Sequence, residues 1–202
     1  MDVYSNFAEL KQAEREGVDY RVCIVRRDNS SIVVLAPHGG GIEPGTSEVA
    51  TKIAEKEFSL AMFEGKKPTG NARLHITSTN FDEPRCLQLV QMTDSVIAIH
   101  GEGSKERVVF LGGRDEKLGA QVRAVLESQG YQVKIHENPE LQGIATVNIC
   151  NRGRRGAGVQ LELSSGLRKA FFESLTTEGR EKPTDELAKF ASAVREGLRG
   201  SD

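Results

Sequence analysis

The strongest constraint on this chain is an alternation. Short apolar, β-branched runs recur along it, and most are followed by a stretch with helical spacing. The runs are Arg21–Arg27, Ser31–Ala36, Ser59–Glu64, Ser95–His100, Arg107–Leu111, Tyr131–Ile135 and Gly158–Leu163. Helical stretches are predicted from the capping sequence Asn6-x-x-Glu9 to before Gly17, and over Ser47–Glu57, Pro84–Gln91, Asp115–Gln129, Gly166–Ser174 and Thr184–Leu198. Arg73–Thr77 reads as a further strand, and residues 136–157 read as irregular. Such a pattern predicts an α/β fold: a twisted mixed, largely parallel β-sheet flanked by helices. No repeat, low-complexity tract or linker divides the 202 residues, so one domain over 1–202 is expected.

Composition narrows the function classes. With 27 basic and 29 acidic residues the formal charge is −2, so no overall basic field recruits nucleic acid or anionic lipid. Cys23, Cys86 and Cys150 are odd in number, widely spaced and without a CxxC, which argues against a disulfide framework or a cysteine zinc site. No run approaches 18 consecutive apolar residues, and the opening MDVYSNFAELKQAEREG lacks a secretory apolar region. The expectation is a monomer that is cytoplasmic in its producing cell and acts outside it after lysis.

Ligands in open α/β sheets bind beyond the carboxyl ends of strands. Two histidines stand there: His38 after IVVLAP and His100 after SVIAI, each followed by glycine. Glu43 lies five residues beyond His38, across three glycines. Two imidazoles and a carboxylate at one edge form a His₂Glu set, the ligand pattern of catalytic zinc. A strand-end histidine that merely satisfies its own hydrogen bonds is the competing reading. His75 and His136 are not followed by glycine and read as structural or supporting residues.

Glu162 alternates with Val159, Leu161 and Leu163. It reads either as a polar residue on a solvent face or as a general base at a strand end. Arg152, Arg154 and Arg155, with Asn151 before them and Arg114 and Arg168 elsewhere, form local basicity in a neutral chain. That cluster is either a solvated loop or a set of carboxylate clamps. No G-x-S-x-G elbow, Walker A spacing, G-x-G-x-x-G after a strand, or H-E-x-x-H occurs.

Five blocks carry a resemblance: PHGGGIEPGTSEVA (37–50), LHITSTNFDEP (74–84), IAIHGEG (97–103), FLGGRD (110–115) and NICNRGRRGAGVQLELSSGLR (148–168). In order and together, they resemble the phage-type poly-γ-glutamate hydrolase family. The resemblance implies a fold similar to zinc metallocarboxypeptidases and zinc-dependent hydrolysis of the γ-amide bonds of poly-γ-glutamate, the capsule polymer of bacilli. It implies His38, Glu43 and His100 as Zn²⁺ ligands and Glu162 as general base. Arg114, Asn151, Arg152, Arg154, Arg155 and Arg168 would bind substrate carboxylates. In metallocarboxypeptidases the first two ligands are separated by two residues; here His38 and Glu43 are separated by four, and Glu48 is the alternative ligand. Two other readings stay open: an amidohydrolase or carboxypeptidase acting on small N-acyl or peptidyl glutamates, and a metal-free module that binds polyanions.

Overall fold

The computed structural model describes residues 2–200. Seven strands form one sheet in the order β1-β3-β2-β4-β7-β5-β6. They are β1 (Tyr20–Val25), β2 (Ile32–Gly40), β3 (Ser59–Gly65), β4 (Ser95–Glu102), β5 (Val108–Gly113), β6 (Gln132–Lys134) and β7 (Val159–Ser164). The pairs β2–β3, β2–β4, β4–β7 and β5–β6 are parallel, whereas β1–β3 and β5–β7 are antiparallel. The expected mixed, largely parallel sheet is therefore present.

Helices cover both faces. Helices α2 (Thr46–Ala54), α4 (Glu116–Ser128) and α7 (Asp185–Arg199) bury Val49, Ile53, Val122 and Phe190 against Val34, Ile97 and Leu161 of the sheet. On the other face, α1 (Phe7–Ala13) and α3 (Pro84–Met92) bury Phe7, Leu10 and Leu89 with Val33, Leu35, Val96 and Ala98. Burial on both faces explains why the central strands read as continuous apolar runs. Helix α1 starts where the capping signal placed it, with the Glu9 N–H donating to Asn6 Oδ1 at 2.9 Å. Among the described residues, no helix is long and apolar enough to cross a membrane.

Two local expectations are corrected. Arg73–Thr77 is not a strand: a 3₁₀ turn spans Asn71–Leu74, and the N–H of Thr77 donates to the Asp2 carboxylate instead of to a neighbouring strand. The helix expected over Gly166–Ser174 is α5 (Ser165–Ala170), which ends early, and a short α6 (Thr177–Arg180) follows.

Candidate active site

The carboxyl ends of β2, β4 and β7 meet at one cavity of about 280 Å³. His100 and Glu162 lie on the face of the sheet that carries Val96 and Ala98, as strand alternation dictates. His38 does not follow that alternation. Counting from Val34 and Ala36, it belongs on the opposite face, yet the β2–β3 register slips between Ala36 and Gly39. This β-bulge turns the imidazole over, so that it meets Ile76, Phe81 and His100.

The glycine loop then returns the chain to its own strand. The N–H of Glu43 donates to the carbonyl of His38 at 2.9 Å, closing a six-residue turn. Gly40 sits at φ +63°, and a Cβ there would lie 2.4 Å from the Gly65 carbonyl oxygen, so the turn requires glycine. Thr46 Oγ1 donates to the Glu43 carbonyl and holds the far end. The longer spacing between His38 and Glu43 is thus taken up by the turn.

Three donor atoms converge. His38 Nδ1 is 3.0 Å from Glu43 Oε1 and 3.1 Å from His100 Nδ1, and His100 Nδ1 is 3.7 Å from Glu43 Oε2. Ligands about 2.0–2.1 Å from a tetrahedral zinc stand roughly 3.3 Å apart. The outer nitrogens are engaged elsewhere: His38 Nε2 reaches the Ile76 carbonyl at 2.8 Å, and His100 Nε2 meets Ser78 Oγ at 3.4 Å. Such outer partners fix the ring tautomer and leave Nδ1 facing inward. Glu43 Oε2 accepts from the Gly101 N–H at 2.8 Å. The donor set and its spacing fit a zinc ion.

His75 is a supporting group with a second possibility. Its ring stacks on His38 at 3.9 Å, its Nε2 is 3.9 Å from Glu43 Oε1, and its Nδ1 bonds Asp2 at 2.7 Å. His38, Glu43 and His75 therefore also group closely enough to hold a metal. His136 packs on Phe110 away from the cavity. Glu48, the alternative ligand, is bonded to Arg180 at 2.8 Å on the first turn of α2.

Electrostatics separate the groups. Burial favours neutral His38, but the charge and hydrogen bond of Glu43 outweigh it and raise its pKa. Burial would raise Glu43, yet His38, His100 and the Gly101 N–H hold it at about 2. Burial brings His100 down to about 3, with His38 and His75 adding to the effect. Burial, then the charges of Glu43 and Glu102, push Glu162 well above the usual carboxylate range. Glu162 Oε1 accepts from Gln160 Nε2 at 3.0 Å, and Asn148 in turn donates to Gln160. The polar face of β7 thus points into a cavity, not into bulk solvent.

The structure places the predicted substrate-binding residues outside this cavity. Among the described residues, no arginine or lysine lines this cavity. Arg154 pairs with Asp94 at 3.7 Å, and Arg155 reaches Ser95 Oγ and Asp115, both at 3.2 Å. Those partners mark the amino end of β4, opposite His100. Arg152 follows the 3₁₀ turn Ile149–Asn151 and is likewise absent from the lining. Arg114 leaves β5 beside Gly158, bonded to the Ile144 carbonyl. Asn151 spends its amide on the carbonyls of Gly143 and Ala145 and on the Gly158 N–H. Arg168 is buried behind the site, donating to the carbonyls of Leu163, Pro44 and Glu102.

Several site residues carry no sequence signal of their own. Glu102 lines the cavity and accepts from the Ser104 N–H. Asp2 reaches His75 across 73 positions of sequence, a contact that only folding creates. Ser78, Glu102, Asn148 and Gln160 do lie inside the blocks quoted above, but no spacing or residue pattern singled them out.

Comparison with known proteins shows the family over most of the chain. The sequence signature of the family described as poly-gamma-glutamate hydrolase matches residues 4–193. The chain belongs to the poly-γ-glutamate hydrolase family. It is 41% identical over 180 residues to the UPF0714 protein YndL of Bacillus subtilis (strain 168), covering 89% of this chain and 70% of YndL. The structure of a bacteriophage poly-γ-glutamate hydrolase superposes with a TM-score of 0.94 and 33% identity, over 99% of this chain and 98% of that one. A zinc-free, apo structure of YndL superposes with a TM-score of 0.93 and 37% identity, over 100% and 99% of the two chains.

Proposed function

We propose that the protein hydrolyses the γ-amide bonds of poly-γ-glutamate, with a zinc ion held by His38, Glu43 and His100 and with Glu162 as proton acceptor. The observation that carries this reading is the convergence of two inward Nδ1 atoms and a carboxylate within 3.0–3.7 Å of one another, in a chain of this family. The zinc-free description of the YndL structure supports the choice of metal. His100 is preferred to His75 as third ligand because its Nδ1 is 3.1 Å from His38 Nδ1 and slightly nearer to Glu43, at 3.7 against 3.9 Å, and because its ring is buried.

A zinc ion bound there supplies Lewis acidity, polarising the scissile carbonyl and lowering the pKa of an attacking water. Glu162 stands on β7 beside His100 of β4, where its carboxylate takes the proton of that water. The same proton is then delivered to the departing amine. Gln160 holds one oxygen of Glu162, so the other stays free for the transfer. Burial of Glu162 favours its protonated state, which suits the second half of this cycle.

The test is product sizing on purified poly-γ-glutamate with the zinc-loaded protein. A fall in viscosity with new free amines is the expected result. A polymer of unchanged length, with release of glutamate only from small N-acyl or peptidyl glutamates, would overturn the substrate assignment.

A further inference from the structure

The catalytic cavity poses a charge problem. Glu43, Glu102, Glu140 and Glu162 line it, and no lysine or arginine does. The substrate proposed above carries a carboxylate on every residue. The proposed zinc ion and the buried Arg168, whose charge is felt by Glu43, Glu102 and Glu162, offset part of this; the rest of a long polyanion has to be attracted elsewhere on the protein.

A second cavity, of about 400 Å³, lies at the opposite end of the sheet. That is within the roughly 300–1,000 Å³ of small-ligand sites. Arg26, Arg27 and Arg154 line it against one carboxylate, Asp28, and Ser30, Ser59 and Thr93 add hydroxyls. Arg26 meets Asp28 at 2.9 Å and Arg154 meets Asp94 at 3.7 Å, yet the two side chains stay 58% and 62% exposed, so part of each guanidinium remains open to a ligand. Arg27 has a buried Nε without a hydrogen-bond partner. Arg154 comes from the glycine-flanked arginine loop, which the catalytic cavity does not use.

We propose that the cavity of Arg26, Arg27 and Arg154 is a non-catalytic binding site for polycarboxylate, holding a distant segment of the polymer whose other part is being cleaved. The proposal rests on the substrate reading above. Ser95 to His100 spans roughly 17 Å along β4, so a chain must be long to occupy both ends. Holding one segment raises the effective concentration of the rest at the catalytic cavity. A tri-γ-glutamate is too short to gain from it.

The experiment compares the wild type with the Arg26→Ala/Arg154→Ala variant in two assays. In the first, fluorescent poly-γ-glutamate binds to zinc-stripped protein, which requires no catalysis. In the second, kcat/KM is measured on long polymer and on tri-γ-glutamate. The proposal expects polymer affinity and polymer kcat/KM to fall about fivefold or more, with weaker salt dependence and unchanged kcat/KM on the trimer. Equal polymer binding in both proteins would overturn it, as would an equal loss on polymer and trimer. Tighter binding of a single-stranded oligonucleotide than of poly-γ-glutamate, lost in the variant, would overturn the ligand class. A wild type that binds polymer without cleaving any substrate would instead sink the catalytic reading while leaving this site supported.

Discussion

His100 and Glu162 are direct partners in the register of two adjacent parallel strands, β4 and β7. One strand end therefore presents an imidazole and its neighbour a carboxylate on the same face, the pair proposed above as metal ligand and proton acceptor. Glu162→Gln preserves the volume and the bond from Gln160 but removes the acceptor. It should keep full zinc content and polymer affinity while kcat falls by roughly 10²–10⁴. Metal analysis paired with kinetics checks this. A variant retaining more than about a tenth of wild-type kcat, a barrier change under roughly 1.4 kcal/mol, would return Glu162 to a structural role.

The two glutamates near the glycine loop are distinguishable. Glu43→Gln should lower zinc occupancy sharply, because its carboxylate bridges His38 and the Gly101 N–H. Glu48→Gln should keep the metal and only weaken the pairing with Arg180. Zinc stoichiometry after gel filtration reads both. Metal loss in the Glu48 variant alone would reverse the assignment.

His38→Ala and His100→Ala should each abolish zinc binding and hydrolysis with an unchanged far-ultraviolet circular dichroism spectrum. His75→Ala should leave stoichiometric zinc, since its Nε2 stands 3.9 Å from Glu43, farther than His38 Nδ1 at 3.0 Å or His100 Nδ1 at 3.7 Å. If His75→Ala loses the metal and His100→Ala keeps it, the ligand set is His38, Glu43 and His75.

Stability should carry a carboxylate signature of its own. Glu14 is buried and bonded to the Tyr4 hydroxyl and to Lys67, with Arg73 beside it. Burial works to raise its pKa, but Lys67, Tyr4 and Arg73 outweigh it, so the pKa is lowered in the folded state. The resulting stabilisation is fully present above the unfolded pKa and is lost as pH falls through the folded one. Glu14→Gln should thus cost about 1–3 kcal/mol at pH 7, with the gap to wild type closing as pH drops below 4.5. Urea midpoints across that range test it; a gap constant with pH would contradict it.

The fold was legible because central strands buried on both faces leave uninterrupted apolar runs such as IVVLA and SVIAI. Strand order was not. Nothing local in RVCIVRR states that β3 inserts between β1 and β2, or that β1 runs antiparallel. At the site, glycines after His38 and His100 marked the correct strand ends, and the misplaced-looking Glu162 marked the third. The bulge that turns His38 over follows from pairing with β3, so no reading of β2 alone reveals it. The placement of the arginine loop was not legible for a related reason: it directly precedes β7, yet Arg154 and Arg155 gather at the amino end of β4 while Glu162 lies toward the carboxyl end of β7.

The central claim is that this cavity works through one zinc ion. The most direct measurement is polymer hydrolysis by chelator-stripped protein during stepwise return of zinc. The account predicts no activity in the stripped protein and a linear recovery that saturates at about one zinc per chain, as a single His₂Glu centre requires. Full activity with zinc below a tenth of an equivalent would contradict it.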